Sequence, residues 1–304
     1  MKEIIKITVA LTISCLLAGV VMGSVFIVTA KAKKHNAHLN TQHTMLGLLG
    51  YGKNRPAPSG LKLYNIYRYI ITESESKYLG YMLPVKKGNS TGYELLVLDL
   101  KRQFVSRHSL DILPENTIDP ENRKTALKSV LTPLATVSYA DTTIVASLND
   151  KRIAYLLPGE FPGFKTFINA MLALDADFKI LGLEIMEHEE DPGLGGEIEQ
   201  EYFKNQFKGK PFEKTKKLKV IKDPLPEEYR KYLEKRKWKK EQFSKEDIAA
   251  IQKHYQDKDI YALTGATISS MAVTNGIRNM TKKFAYRIKI LDKVIASRNV
   301  PVSF

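Results

Sequence analysis

The sequence predicts an α+β protein: a single N-terminal transmembrane helix followed by a soluble domain of mixed strands and helices. Three observations predict it. Residues 7–30 carry no charged side chain and are long enough to cross a hydrocarbon core of about 30 Å. Between residues 64 and 187, β-rich segments are separated by Gly, Pro, Asn and Asp in positions that favour turns. The last third then changes texture, first to charged helical stretches and finally to one long helix opening near Ser269.

In order, the apolar run exceeds the 7–15 apolar residues of a cleaved signal peptide, although Ala30-Lys31-Ala32 superficially matches a cleavage site. Cys15 falls inside this run with Thr12 where a lipoprotein signal has Leu, so it is read as a packing residue. Residues 1–34 are therefore expected to be an anchor, and residues 35–60 a membrane-proximal helix and linker that ends at Arg55-Pro56-Ala57-Pro58-Ser59-Gly60. Strands are expected over 64–71, 78–85 and 93–100, then a helix with Asp119 as N-cap and Pro120 in its first turn. Asn149-Asp150 reads as a hairpin turn between strands at 136–147 and 152–157. Tyr81-Met82-Leu83-Pro84 is echoed by Tyr155-Leu156-Leu157-Pro158, a match short enough for chance to account for it. Residues 211–258 are rich in Lys, Glu and Tyr, with helices opening after Pro224-Leu225-Pro226 and at Ser244, where Asp247 completes a capping box. Such a charged helical pair is usually a solvated face, or else a docking arm for a neighbouring subunit.

Net charge is +14, from 47 Lys+Arg against 33 Asp+Glu, which suits an anionic surface, acidic partners or nucleic acid. The bases are interspersed with acids and no nucleic-acid motif is present, so a nucleic-acid partner is not expected. With one cysteine, the chain excludes within itself a disulfide, a cysteine zinc site, a cysteine-ligated iron–sulfur cluster and a Cys-x-x-Cys-His haem site. His188 beside Glu189, Glu190 and Asp191 lacks a second His at ligand spacing, so no metal site is expected. The glycines of 193–196 follow acidic residues and do not form a dinucleotide fingerprint. No nucleophile–His–acid constellation stands out, so no catalytic residue is assigned.

One stretch organises the rest: Leu263-Thr264-Gly265-Ala266-Thr267-Ile268-Ser269-Ser270 joins a strand-like approach to the final helix. Gly265 and Ala266 remove bulk, and the first turn of a helix offers unpaired N–H groups and a partial positive charge that suit a phosphate. By residue type alone, the same stretch is also read as an ordinary turn and N-cap.

Thr264-Gly265-Ala266-Thr267 followed by Ser269 resembles the flavinylation motif of the FMN-binding domain family, which includes the G subunit of the Rnf electron-transport complex and the C subunit of the sodium-translocating NADH:quinone reductase. His188-Glu189-Glu190-Asp191-Pro192-Gly193-Leu194-Gly195 resembles a second family segment, His-x-Glu-Thr-Pro-Gly-x-Gly, with Asp191 in place of Thr. The chain continues through Phe203 and Phe207 to Gly209-Lys210, similar to the family's Phe-x-Gly-Lys ending. The resemblance implies FMN held by a phosphoester to Thr267. Thr264, Gly265, Ala266, Ser269 and Ser270 would cradle the phosphate, while Gly193, Leu194 and Gly195 would approach the ring, with His188 nearby. It implies a redox subunit of a membrane complex, not a stand-alone enzyme, with other subunits and a flavin transferase as partners. It marks 61–304 as the FMN-binding domain and 211–258 as an insertion in it. It also places the soluble domain on the outer face of the cytoplasmic membrane, whereas the three lysines after the apolar run, against two before it, favour the inside. Large domains translocate despite such bias. One departure is Tyr261, where the family has an acidic residue; Asp259 lies two residues earlier. A scaffold subunit that has lost its flavin is the alternative that this departure suggests.

Overall fold

The computed structural model describes residues 1–88, 90–239 and 242–304, the side chains of 31–38 excepted, so the lysines flanking the apolar run at 31, 33 and 34 lie outside the description. The chain divides into two compact units, Met1–Gly47 and Leu48–Phe304. The first is formed by helix α1 (Lys2–Leu48). Its Lys2–Ala30 stretch is long and apolar enough to cross a membrane, and none of its apolar window is buried by the chain.

The second unit is built on one eight-stranded antiparallel sheet. Its strands are β1 (Leu61–Glu73), β2 (Ser76–Lys87), β3 (Ser90–Asp99), β4 (Phe104–Leu110), β5 (Thr136–Leu148), β6 (Lys151–Pro162), β7 (Phe167–Asp175) and β8 (Ile180–Glu187), in the order β4-β3-β2-β1-β5-β6-β7-β8. Two four-stranded meanders therefore meet at the β1–β5 pair. Helix α2 (Pro120–Lys128) lies between them in sequence, capped by the Asp119 carboxylate, which accepts the Glu121 N–H at 2.8 Å. Asn149 and Asp150 both take left-handed φ values (51° and 60°) at the β5–β6 turn, the conformation a two-residue hairpin needs.

The tetrapeptide echo falls on equivalent strands, β2 and β6, the second of each meander. In each, the proline lies two residues past the last pair with the inner neighbour: Met82 is the last β2 residue to pair with β1, and Leu156 the last β6 residue to pair with β5. A proline has no N–H for a ladder, so it is tolerated where the ladder on that side has ended. Beyond Pro84 the vacated edge is taken by the chain's own end, where Ser303 N–H donates to the Pro84 carbonyl at 3.1 Å. The two tetrapeptides thus occupy equivalent places in their meanders.

Alternation along the strands buries both faces of the first meander. Ile66, Tyr81, Leu83, Leu96 and Leu98 face the main core, and Tyr67, Met82, Leu95 and Val97 face a second core closed by Leu127 of α2. The main core is covered by α7 (Thr267–Ser297), whose Val273, Ile277, Phe284, Ile288, Leu291 and Ile295 form one helical stripe. Gly276 sits inside this helix because Phe161 of β6 occupies the space: a Cβ there would lie 2.3 Å from the ring. A mid-helix glycine costs roughly 1 kcal/mol against alanine, and the close approach of α7 to β6 offsets it.

Residues 201–261 form short elements: α3 (Glu201–Lys204), α4 (Phe212–Thr215), β9 (Val220–Ile221), α5 (Glu227–Leu233), α6 (Lys245–Tyr255) and β10 (Ile260–Tyr261). β9 and β10 pair in parallel and close the base of the charged segment. That segment is not merely a solvated face. Tyr229, Tyr232, Leu233, Ile251 and Tyr255 form a third core, with the Tyr229 and Tyr255 rings stacked 3.8 Å apart. Lys210 fastens it to the domain. Its ammonium, 2% exposed, donates to the carbonyls of Tyr255, Gln256 and Lys258 at 3.3, 3.3 and 2.6 Å, just where α6 ends.

Burial, reinforced by the Lys214 charge, pushes the Lys210 ammonium down to about 8. Between that value and the ordinary 10.5 the unfolded chain binds the extra proton, so stability rises with pH across this window, by about 3 kcal/mol in the limit. Urea midpoints measured from pH 8 to 10 are expected to climb in the native protein. They should stay flat in Lys210→Met, which is itself less stable because three carbonyls lose their donor.

Candidate functional site

The two motifs singled out in the sequence meet at the start of α7. After β10 the chain turns at Leu263, whose carbonyl accepts the Ala266 N–H at 3.0 Å. Gly265 takes φ +76°, and a Cβ on it would lie 3.0 Å from Leu194 Cδ2. Leu194 itself, 47% exposed, is thus held against the motif glycine. Gly193, at φ +74°, makes the turn that delivers it. A Cβ on Gly195 would lie 2.6 Å from Glu190 Oε2 and 2.7 Å from Ser269 Oγ. Both glycines are therefore required by close approach between the two motifs. Gly265→Val is expected to lower stability by about 1–2 kcal/mol from the left-handed backbone alone, read as a fall in melting temperature.

Ser269 and Ser270 do not turn their hydroxyls outward. Ser270 is buried; its Oγ donates to the Ala266 carbonyl at 2.9 Å and accepts the Leu263 N–H at 3.0 Å, so it ties the turn to the helix. Ser269 is also buried and donates to Glu190. These two residues build the loop, in place of the phosphate-cradling role expected of them. Thr264 is exposed and Thr267 half-buried. Among the described residues neither hydroxyl has a hydrogen-bond partner, and no side chain caps the helix, whose N-cap is Ala266. The unpaired N–H groups of a 31-residue helix and two unengaged hydroxyls are left together at one surface.

Glu190 is the residue that reading by type alone passed over. It is 5% exposed, accepts the Phe164 and Lys165 N–H groups at 2.7 and 3.2 Å through Oε1, and accepts Ser269 through Oε2. One carboxylate thereby joins the β6–β7 turn, the His188–Gly195 loop and the first turn of α7. The sequence signal was its place in the quoted motif, between His188 and Pro192. His188 Nδ1 accepts the Glu190 N–H at 3.0 Å and Nε2 lies 2.9 Å from the Glu199 carboxylate, so the proton sits on Nε2. His188 thereby orients the loop, and no cluster of metal-ligand side chains occurs among the described residues.

Beside Thr264 opens a cleft of about 350 Å³ lined on one side by Gly193, Glu197 and Tyr202 and on the other by Tyr261, Ala262 and Leu263. Pro224, Leu225 and Arg230 of the charged segment complete the wall, so that segment is part of the site's surroundings. Tyr202 donates to Glu197 at 2.7 Å, and burial together with that carboxylate pushes its phenol up to about 12. Arg230 lies over the Tyr202 ring, 4.3 Å from its centroid. Tyr261 is fixed by Gln206, whose amide accepts its N–H at 2.8 Å and donates to its carbonyl at 3.2 Å. Burial raises the Tyr261 phenol above its ordinary value, with Asp223 adding to the effect. Asp259 is committed elsewhere: it accepts Lys214 at 2.6 Å and the Lys219 N–H at 3.2 Å.

The residues present suit an FMN phosphate and ring. An uncapped helix start and two hydroxyls without partners among the described residues fit the phosphate, and a partly aromatic cleft bordered by Gly193 fits the ring. Comparison with known proteins points the same way. Residues 163–282 match the family model described as FMN-binding domain. The G subunit of a proton-translocating ferredoxin:NAD(+) oxidoreductase complex from Clostridium ljungdahlii is 30% identical over 138 residues, covering 45% of this chain and 57% of that protein. The chain thus spans just over half the length of that relative. Among solved structures, NqrC of Shewanella oneidensis is similar at 20% identity and a TM-score of 0.33, covering 48% of this chain and 57% of that one. The C subunit of the Na(+)-translocating NADH-quinone reductase of Parabacteroides distasonis is similar at 18% identity and a TM-score of 0.32, covering 64% and 74%. The match over residues 163–282 contains both motifs, so this part of the chain is similar to the FMN-binding domain family.

Proposed function

We propose that this protein is an electron-carrying flavoprotein subunit of a membrane-bound, ion-translocating redox complex of the Rnf type. FMN is attached by a phosphoester to the Thr267 hydroxyl, and when bound it supplies the redox couple that no side chain of this chain provides. The observation that carries the reading is the unengaged Thr267 hydroxyl at the uncapped start of α7, two residues beyond Gly265, which packs against Leu194. The α7 N–H groups and Thr264 hold the phosphate, Gly193 and Leu194 border the ring, and Glu190, Ser269, Ser270 and His188 keep these groups in place. Tyr202 and Tyr261 narrow the cleft and exclude water from it. A flavin transferase of the host forms the bond, and the other subunits of the complex supply and accept electrons.

Lys2–Ala30 anchors the chain in the cytoplasmic membrane with the FMN domain on its outer face. Full-length protein is expected to resist carbonate and high-salt washes, whereas protein lacking residues 1–34 should be recovered soluble and folded. Release of the full chain by either wash would overturn the anchor. Flavin itself is tested on a denaturing gel of native membranes under ultraviolet light: a fluorescent band at the mass of this chain is expected. A colourless band there and in the native complex would favour the flavin-free scaffold.

A further inference from the structure

A second cleft, of about 240 Å³, opens between the α3 region and the charged segment. Lys179, Lys208, Lys210 and Lys235 line it together with Tyr232 and Leu233, and no acidic residue lines it. Among the described residues none of these four lysines forms an ion pair, although the surface elsewhere pairs many of its cations. Lys210 is spent on the carbonyls at the end of α6 and adds only its field. Lys179, Lys208 and Lys235 are exposed residues, and the Lys235 ammonium lies 5.4 and 5.5 Å from the Tyr232 and Trp238 ring centroids. Burial disfavours the Lys235 charge, and the nearby Lys208 charge disfavours it further; only Glu201, itself bound to Arg236, opposes this. Like charge without ion-pair partners around a concave space is costly, and an anion in that space relieves it. A bare inorganic anion would leave most of the space unfilled.

We infer that this cleft binds a phosphate monoester with a flat organic body, of the nucleoside monophosphate class. A phosphate monoester carries about −1.5 to −2 charges near neutral pH, which matches a site of several lysines better than a single carboxylate does. The phosphate belongs at Lys179, Lys208 and Lys235, and the body lies inward against the Tyr232 edge and Leu233. Tyr232 is held by Gln252, which donates to its hydroxyl at 2.9 Å, so the wall is preformed. The proposal does not depend on flavin at Thr267.

Trp238 is the only tryptophan, and its ring lies 5.8 Å from that of Tyr232, so its fluorescence reports on this cleft. The experiment titrates full-length protein in detergent with AMP, adenosine and inorganic phosphate, exciting the tryptophan selectively. AMP should give a saturable change, with adenosine and phosphate each at least tenfold weaker. Raising salt from 50 to 300 mM should weaken AMP severalfold, and Lys208→Glu with Lys235→Glu should abolish its effect while circular dichroism stays native. No saturable response to AMP overturns the proposal. So does AMP binding unchanged in the double variant, or phosphate binding as tightly as AMP.

Discussion

Glu190→Ala is expected to lower the stability of the domain by about 3 kcal/mol or more and to remove flavin from the protein. The substitution removes the acceptor of two backbone N–H groups in the β6–β7 turn, at Phe164 and Lys165, and strands the buried Ser269 hydroxyl. Each unsatisfied buried group costs roughly 1–3 kcal/mol. It also opens a cavity between the glycines at 163 and 195, both of which lie against the Glu190 carboxylate. Glu190→Gln keeps the shape and one acceptor oxygen, and its amide can donate to Ser269, so its cost should be about 1 kcal/mol. Chemical denaturation orders the three proteins, and flavin content should follow the same order. If Glu190→Ala unfolds at the native midpoint, the carboxylate does not hold the site together.

Thr267→Val should give the opposite pattern: complete loss of attached flavin with the fold intact. Valine reproduces the branched shape, and the threonine hydroxyl has no partner within the described protein, so stability should change by no more than about 0.5 kcal/mol. Only a hydroxyl forms the phosphoester; Thr267→Ser should therefore retain flavin. The contrast separates the two roles: Glu190 acts by building the site, Thr267 by bonding to the cofactor. The variants are compared in the native host, where the flavin transferase is present. Flavin attached at wild-type level in Thr267→Val would move the linkage to another residue.

Much of this was legible in the sequence, and the misses have physical reasons. Strands β1, β2, β3, β5 and β6 and the Asp119 cap were readable because alternation and capping are local. β4 escaped because Phe104–Leu110 is an edge strand with alternate residues exposed, which reads as polar loop. The charged segment read as a solvated pair of helices because its charges outnumber its tyrosines in sequence; the stacking of Tyr229 on Tyr255 is decided only by the fold. At the site, the motif located the loop but not the direction of its hydroxyls. The helical repeat turns Ser269, Ser270 and Val273 inward and leaves Ile268 and Met271 at the surface, so two of the expected cradle residues became structural. Glu190 went unassigned as a site residue because a carboxylate among carboxylates looks solvated until its partners are seen.

The central claim is that Thr267 carries FMN, and trypsin offers a direct way to ask. Lys258 and Arg278 bracket one tryptic peptide, residues 259–278, which contains the whole motif and no internal cleavage site. Mass spectrometry of this peptide from native membranes should show it heavier by FMN less one water, with fragment ions assigning the addition to Thr267. The unmodified peptide at full occupancy would contradict the claim.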